Sequence, residues 1–253
     1  YSYLALLITI AYQAIWVTFF WDPTYPRATG GFANPNQMGY WSLLTGTMLI
    51  LLRRDYYIGL PHMLLLAVLL YMAFFTQSKA GIFGHALLWL ITLTILPLTR
   101  YLRIILFFGL VLLAILAAFN LSAIQNTYEN VKHSSRNVQK IIEDLAATGQ
   151  QRGETLEARG YYRILDNPHY AMLGAGEGAY IRFNRSKPNE LHSGWGTLIL
   201  SYGLIGVITF SAFVLMIFNR QKWFYLALFV PLLFYGITHQ HLRFTHFWVV
   251  LAL

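Results

Sequence analysis

Cysteine is absent from the 253 residues, and charge is scarce: 10 acidic and 18 basic side chains make up 11% of the chain. Without cysteine there is no disulfide, no thiolate metal site and no cysteine nucleophile. An ordinary soluble domain carries about 25% charged residues, so a chain this poor in charge is read as one that lives in lipid. No Asp-X-Asp pair occurs, which speaks against a divalent cation held by paired carboxylates. No Gly-Lys-Ser/Thr closes a phosphate loop, and Gly174-Ala175-Gly176-Glu177-Gly178 lacks the βαβ setting of a dinucleotide fingerprint. Neither a cofactor nor a metal is expected.

What the chain has in quantity is apolar sequence, 57% of its residues. It falls in runs near the roughly 20 residues that cross the hydrocarbon core as a helix: Tyr1–Trp21, Met38–Leu52, Ile58–Phe75, Ala80–Leu98, Ile104–Leu121, Gly196–Phe218, Trp223–Ile237 and Phe244–Leu253. The short alternating segments of a β-barrel are missing. The expected fold class is an all-α integral membrane protein, a multi-helix transmembrane bundle with one large extracytoplasmic loop. Residues 1–123 hold about five helices, 124–195 the loop and 196–253 about three helices. Both ends lie inside apolar runs without an initiator Met, so the chain is expected to be a piece of a longer protein.

The formal net charge of +8 on so apolar a chain points to topology and contact with the lipid bilayer, not to nucleic acid. Numbering the runs in order, one set of connections carries Arg53, Arg54, Arg100, Arg103, Arg220 and Lys222, and the opposite set only Arg27, Lys79 and Arg243. The positive-inside rule puts the first set in the cytoplasm and the large loop outside, beside the second set. One cation at a membrane boundary is an ordinary snorkelling anchor. Three from separate connections on the loop's face suggest a shared phosphate or carboxylate ligand.

Within the loop, Asn126–Ala147 has the periodicity of an amphipathic helix, through Val131, Val138, Ile141, Ile142 and Leu145, and would form a lid on the bundle mouth. Thr148–Glu157 is a polar loop, followed by Arg159, Tyr162 and Arg163 at helical spacing near the bundle entrance. The glycine run, with Gly176 and Gly178, is either a tight turn using positive φ or a backbone-amide cradle placed beside the cations, and Glu177 within it would orient His192 or an acceptor sugar unless it is itself a base. His192 directly precedes an apolar run and so stands at the membrane surface, where an imidazole can take a proton from a sugar hydroxyl. Glu177 is the rival base. His239, His241 and His246 surround Arg243 but have no carboxylate nearby, so a zinc site is not favoured.

Several stretches together resemble the O-antigen polymerase and O-antigen ligase family: "RATGGFANPNQMGYW", "TQSKAG", "RGYYRI…LGAGEGAY" with "ELHSGWGTLILSYGLIG", and "THQHLRFTHFWVVLAL". Their order around one large loop carries the likeness, which runs from Arg27 onward. The pairing of "GAGEGAY" with "ELHS" is closer to the polymerases. The resemblance implies a GT-C-like glycosyltransferase bundle in a bacterial inner membrane with its loop in the periplasm. The implied reaction transfers a glycan from an undecaprenyl-diphosphate donor to a sugar hydroxyl acceptor, with a chain-length regulator protein as a further partner. The alternatives are ligation to lipid A-core and, in another class, transport of an anion or solute. The family's essential residues carry over to Arg159, Arg243 and His192 as the catalytic set. Lys79, Arg27, Arg163, Glu177, Gly176 and Gly178 form the substrate-binding set. Lys79 stands where many members have arginine, and Gln240 where asparagine is common. A transporter would break its spans and place charge near mid-bilayer. Here charges collect at the ends of runs that are otherwise nearly free of them, which favours surface chemistry.

Overall fold

The computed structural model describes residues 2–21, 27–53, 58–94, 101, 104, 160–178, 191–219 and 223–253. The chain divides into two compact units, one of Tyr1–Pro97 with Leu156–Leu253 and one of Leu98–Thr155. Apart from residues 101 and 104, the described residues belong to the first unit. The amphipathic segment Asn126–Ala147, the polar loop Thr148–Glu157, the run Ile104–Leu121 beyond its first residue, and Arg159 lie outside the described residues.

The described residues are mostly helical and contain no β-strand. Helix α1 (Ser2–Ile15) runs on into a π-helical turn, Trp16–Phe20. Helix α2 (Pro35–Leu51) starts with a proline in its first turn and the Asn34 side chain accepting from the Gln37 amide at 3.0 Å. Helix α3 (Leu60–Phe75) and helix α4 (Lys79–Thr94) follow, and then short α5 (Tyr162–Asp166). Helices α6 (Gly194–Asn219), α7 (Trp223–Ala227), α8 (Val230–Thr238) and α9 (Thr245–Ala252) complete the unit. Single 3₁₀ turns occupy Pro168–Tyr170 and His241–Arg243.

Helix α2 is buried over nearly its whole surface, packed by α3, α4, α8 and α9. Small residues permit this crowding. A Cβ on Gly84 of α4 would lie 2.6 Å from Leu43 Cδ2 of α2, and one on Gly39 of α2 would lie 3.1 Å from the Thr76 hydroxyl. Polar groups turn inward: Ser42 Oγ meets His85 Nε2 at 3.0 Å in the α2–α4 contact, both wholly buried. The core is mainly apolar, with Leu43, Leu49, Leu66, Leu69 and Phe247 among its buried residues, and further large apolar groups turn outward, as with Ile8, Phe19, Ile208 and Met216 on α1, its π turn and α6.

Two helices, Ser2–Phe20 and Gly194–Ile217, are long and apolar enough to cross a membrane by length and composition. The apolar run expected over Trp223–Ile237 is divided at Leu228–Phe229, after which Val230 begins a fresh helix with Pro231 in its first turn.

The run expected over Gly196–Phe218 is helical but not continuous. Gly203 has φ +66° and ψ −166°, which breaks α6 about nine residues below its start, or roughly 14 Å down the axis. The freed backbone groups are taken up by the chain from Ala171 to Gly176. Ala175 N donates to Leu200 O (2.7 Å) and Gly176 N to Ser201 O (2.9 Å), while Leu204 N donates to Ala171 O (2.7 Å) and Ile205 N to Met172 O (3.3 Å). A buried backbone group without a partner is costly, so break and strap make one feature.

Candidate functional site

Four connections meet at one end of the bundle, around the last turn of α8. Arg27 reaches the end of α3, donating from Nε to Thr76 O (2.6 Å) and from Nη2 to the Asn36 side chain (2.7 Å). Ala28 N bonds Phe75 O at 2.9 Å, which fixes the same crossing. Thr76 caps α3 by donating to Ala73 O, and Ser78 opens α4 by accepting from Gly81 N at 3.3 Å. Lys79 is the first residue of α4, exposed and engaged with neighbours. Tyr235 of α8 donates to Asn36 O (2.8 Å) and stacks on Tyr40 of α2 with ring centroids 4.4 Å apart.

Burial lowers the pKa of the Arg27 guanidinium, with Tyr235 acting the other way. A guanidinium has enough margin to stay charged. Arg27 is therefore a half-buried cation with two of its donors committed to protein oxygens.

The second half of this end is built on the start of α6. Gly194 N donates to His239 O at 2.8 Å, joining α6 to the end of α8. Ser193 Oγ donates to Gly236 O (3.1 Å), accepts from Gly196 N (3.0 Å), and lies 2.6 Å from the Tyr161 hydroxyl, which is also 2.8 Å from Ile237 O. The His241 ring fills the slot between Gly194 and Gly236: a Cβ on either would lie 2.1 or 2.2 Å from its Nδ1. Burial pulls the His241 pKa from 6.5 down to about 4, with the His239 backbone opposing. His192 sits in the middle of this network, exposed, between buried Leu191 and Ser193. Arg243, also exposed and engaged with neighbours, ends the 3₁₀ turn that His241 begins.

Arg27, Lys79, His192 and Arg243 thus stand in connections at one end of the bundle, tied through Thr76, Asn36, Ser193 and His239. The other anticipated residues have different settings. Arg163 is only 2% exposed, its Nε 3.4 Å from the Tyr162 hydroxyl and its guanidinium 5.7 Å from the Tyr162 ring centre. Gly174, Gly176 and Gly178 all take positive φ. The amide of Gly176 is committed to Ser201 O, and among the described residues nothing lies within 4 Å of a Cβ on Gly178. Glu177 lies beside the break in α6, accepting from Tyr202 at 2.5 Å. That is part-way along α6 rather than at its start beside His192.

Sequence reasoning did not single out Gln240 as a site residue. Its Nε2 donates to Leu191 O and, at 2.7 Å, to Thr197 Oγ1. Tyr161, Ser193 and Tyr235 were equally unmarked. Only the tyrosine beside Arg159 and the serine beside His192 gave a signal, through adjacency. Among the described residues no group of three or more His, Cys, Asp or Glu is arranged to hold a metal ion. No protein-family model, curated protein or solved structure matches the chain.

Proposed function

We propose that the bundle is a multi-pass membrane glycosyltransferase of the O-antigen polymerase kind. It moves a glycan from undecaprenyl diphosphate to a sugar hydroxyl at the end where Arg27, Lys79, His192 and Arg243 gather. One observation carries the reading: three cations and an exposed imidazole, supplied by separate connections, lie at the same end of an apolar bundle that also exposes many large apolar side chains. Cations at that end suit a diphosphate leaving group, whose charge grows as the anomeric bond breaks. His192, with its side chain open and its flanking residues buried, suits the base that takes the acceptor proton. Arg159 belongs to the same proposed clamp through the sequence motif it shares with Tyr161, whose hydroxyl reaches Ser193.

The donor's lipid would lie in the bilayer and its diphosphate at the surface, so a reaction at the span ends matches the substrate's own geometry. Ligation to lipid A-core differs only in the acceptor. The test is to supply the protein in membranes with undecaprenyl-diphosphate-linked repeat units and follow chain length. Longer lipid-linked chains support polymerisation, transfer to lipid A-core supports ligation, and unchanged donor defeats both.

The break at Gly203 favours a second reading, transport, because broken spans line the ion sites of many carriers. Against it, the backbone groups that the break frees at Leu200, Ser201, Leu204 and Ile205 are all bonded to the strap, leaving none of them for a solute. Solute flux into proteoliposomes without donor consumption would reverse this choice.

A further inference from the structure

A base must be held on a fixed backbone while its side chain stays open, because a misplacement of about 1 Å can cost about a hundredfold in rate. The residues around His192 meet that condition one by one. Ser193 is locked by Gly236 O, Gly196 N and the Tyr161 hydroxyl, and Gly194 is locked by His239 O and by the His241 ring against its α-carbon. On the other side of His192, the Leu191 carbonyl has two donors. Thr197 Oγ1 reaches it at 3.5 Å, a weak contact, and Gln240 Nε2 makes the close one. Gln240 also holds the Thr197 hydroxyl itself, at 2.7 Å.

Resting on the transferase reading, we propose that Gln240 is the positioning residue for His192, fixing the peptide just before it from the Arg243-bearing turn. Gln240 touches neither donor nor acceptor; it acts through the Leu191 carbonyl. It also links the two parts of the site mechanically, since His192 lies on one of the segments it joins and Arg243 lies three residues beyond it on the other. A side chain that only glued the loop would serve donor binding and proton transfer alike. A positioning residue serves the proton transfer alone.

The experiment is a double-mutant cycle on the protein in membranes, with undecaprenyl-diphosphate-linked repeat units extracted from the expressing cells as donor. Gln240→Leu keeps the bulk and loses both donors; Gln240→Glu keeps the shape and loses the N–H groups. In either, kcat is expected to fall about tenfold or more with the donor KM within about twofold. The same change is expected to cost nothing further in a His192→Ala background, where no base remains to be positioned. Unchanged kcat in both single variants overturns the proposal. So does an equal loss with and without His192, or loss of folded protein in both variants, since each marks Gln240 as structural. A fully active His192→Ala protein is a different failure: it removes the base assignment on which the clamp depends.

Discussion

Gly174 and Gly203 cross backbone to backbone: a Cβ on Gly203 would lie 2.6 Å from the nitrogen of Gly174, and one on Gly174 would lie 2.3 Å from the Ser201 carbonyl oxygen. Both take positive φ, +79° and +66°. The close crossing is what lets the strap bond into the break of α6.

Gly174→Ala and Gly203→Ala should therefore each destabilise the protein by at least about 2 kcal/mol, from backbone clash added to left-handed strain. Gly178→Ala is the matched control, with φ +70° but nothing among the described residues within 4 Å of a new Cβ, and should cost only about 1 kcal/mol. Thermal unfolding in detergent ranks the three. Equal midpoints would refute the packing account.

His192→Ala should leave donor binding intact and slow transfer by about 10² to 10⁴-fold, because the base acts on the acceptor in the transition state. Glu177→Gln keeps an oxygen that can accept from Tyr202 and should retain most activity. Chain length on gels reads both. If Glu177→Gln is the variant that stops turnover, the base is Glu177.

Arg243→Lys should lose nearly as much activity as Arg243→Ala if the guanidinium forks onto the diphosphate, since an ammonium keeps charge but not the planar pair of donors. Donor consumption at matched protein level decides the point. A fully active lysine variant would make Arg243 an interfacial anchor.

Acid should weaken the fold through His241. Its folded pKa of about 4 lies below the ordinary 6.5, so between those values the unfolded chain binds the extra proton. Stability is then full above about pH 6.5, declines as pH falls toward 4, and is lower by at most about 3 kcal/mol beneath it. His241→Phe, which keeps a flat ring between Gly194 and Gly236, should remove that slope. Unfolding midpoints at three pH values give the comparison, and an unchanged slope in the variant would assign the acid sensitivity elsewhere.

The transfer reaction should survive EDTA, because cationic side chains are proposed to take the place of a metal at the diphosphate. The motive is the absence of any Asp-X-Asp pair in the sequence. Activity lost on chelation and restored by magnesium would overturn this.

Much of the helical plan was legible in the chain because it follows from local rules. Apolar runs became α1 to α4 and α6, of which Ser2–Phe20 and Gly194–Ile217 are long and apolar enough to cross a membrane, and turn residues such as Asn34, Pro35 and Gly59 marked where helices begin. The gathering of Arg27, Lys79, His192 and Arg243 at one end also follows from counting alternate connections along the sequence. What counting could not supply was decided by contacts between residues far apart in the chain. The break at Gly203 exists because a strap some 30 residues earlier replaces the missing helix bonds, and periodicity alone reads an apolar glycine-containing run as continuous. Arg163 is buried and Gln240 is bonded to Leu191 for the same reason: a side chain's partners depend on which segments fold against it. Hydropathy reports only how readily each segment leaves water, so the sequence by itself determined where most of the described helices run, and the tertiary structure decided where they break and what the loops between them hold.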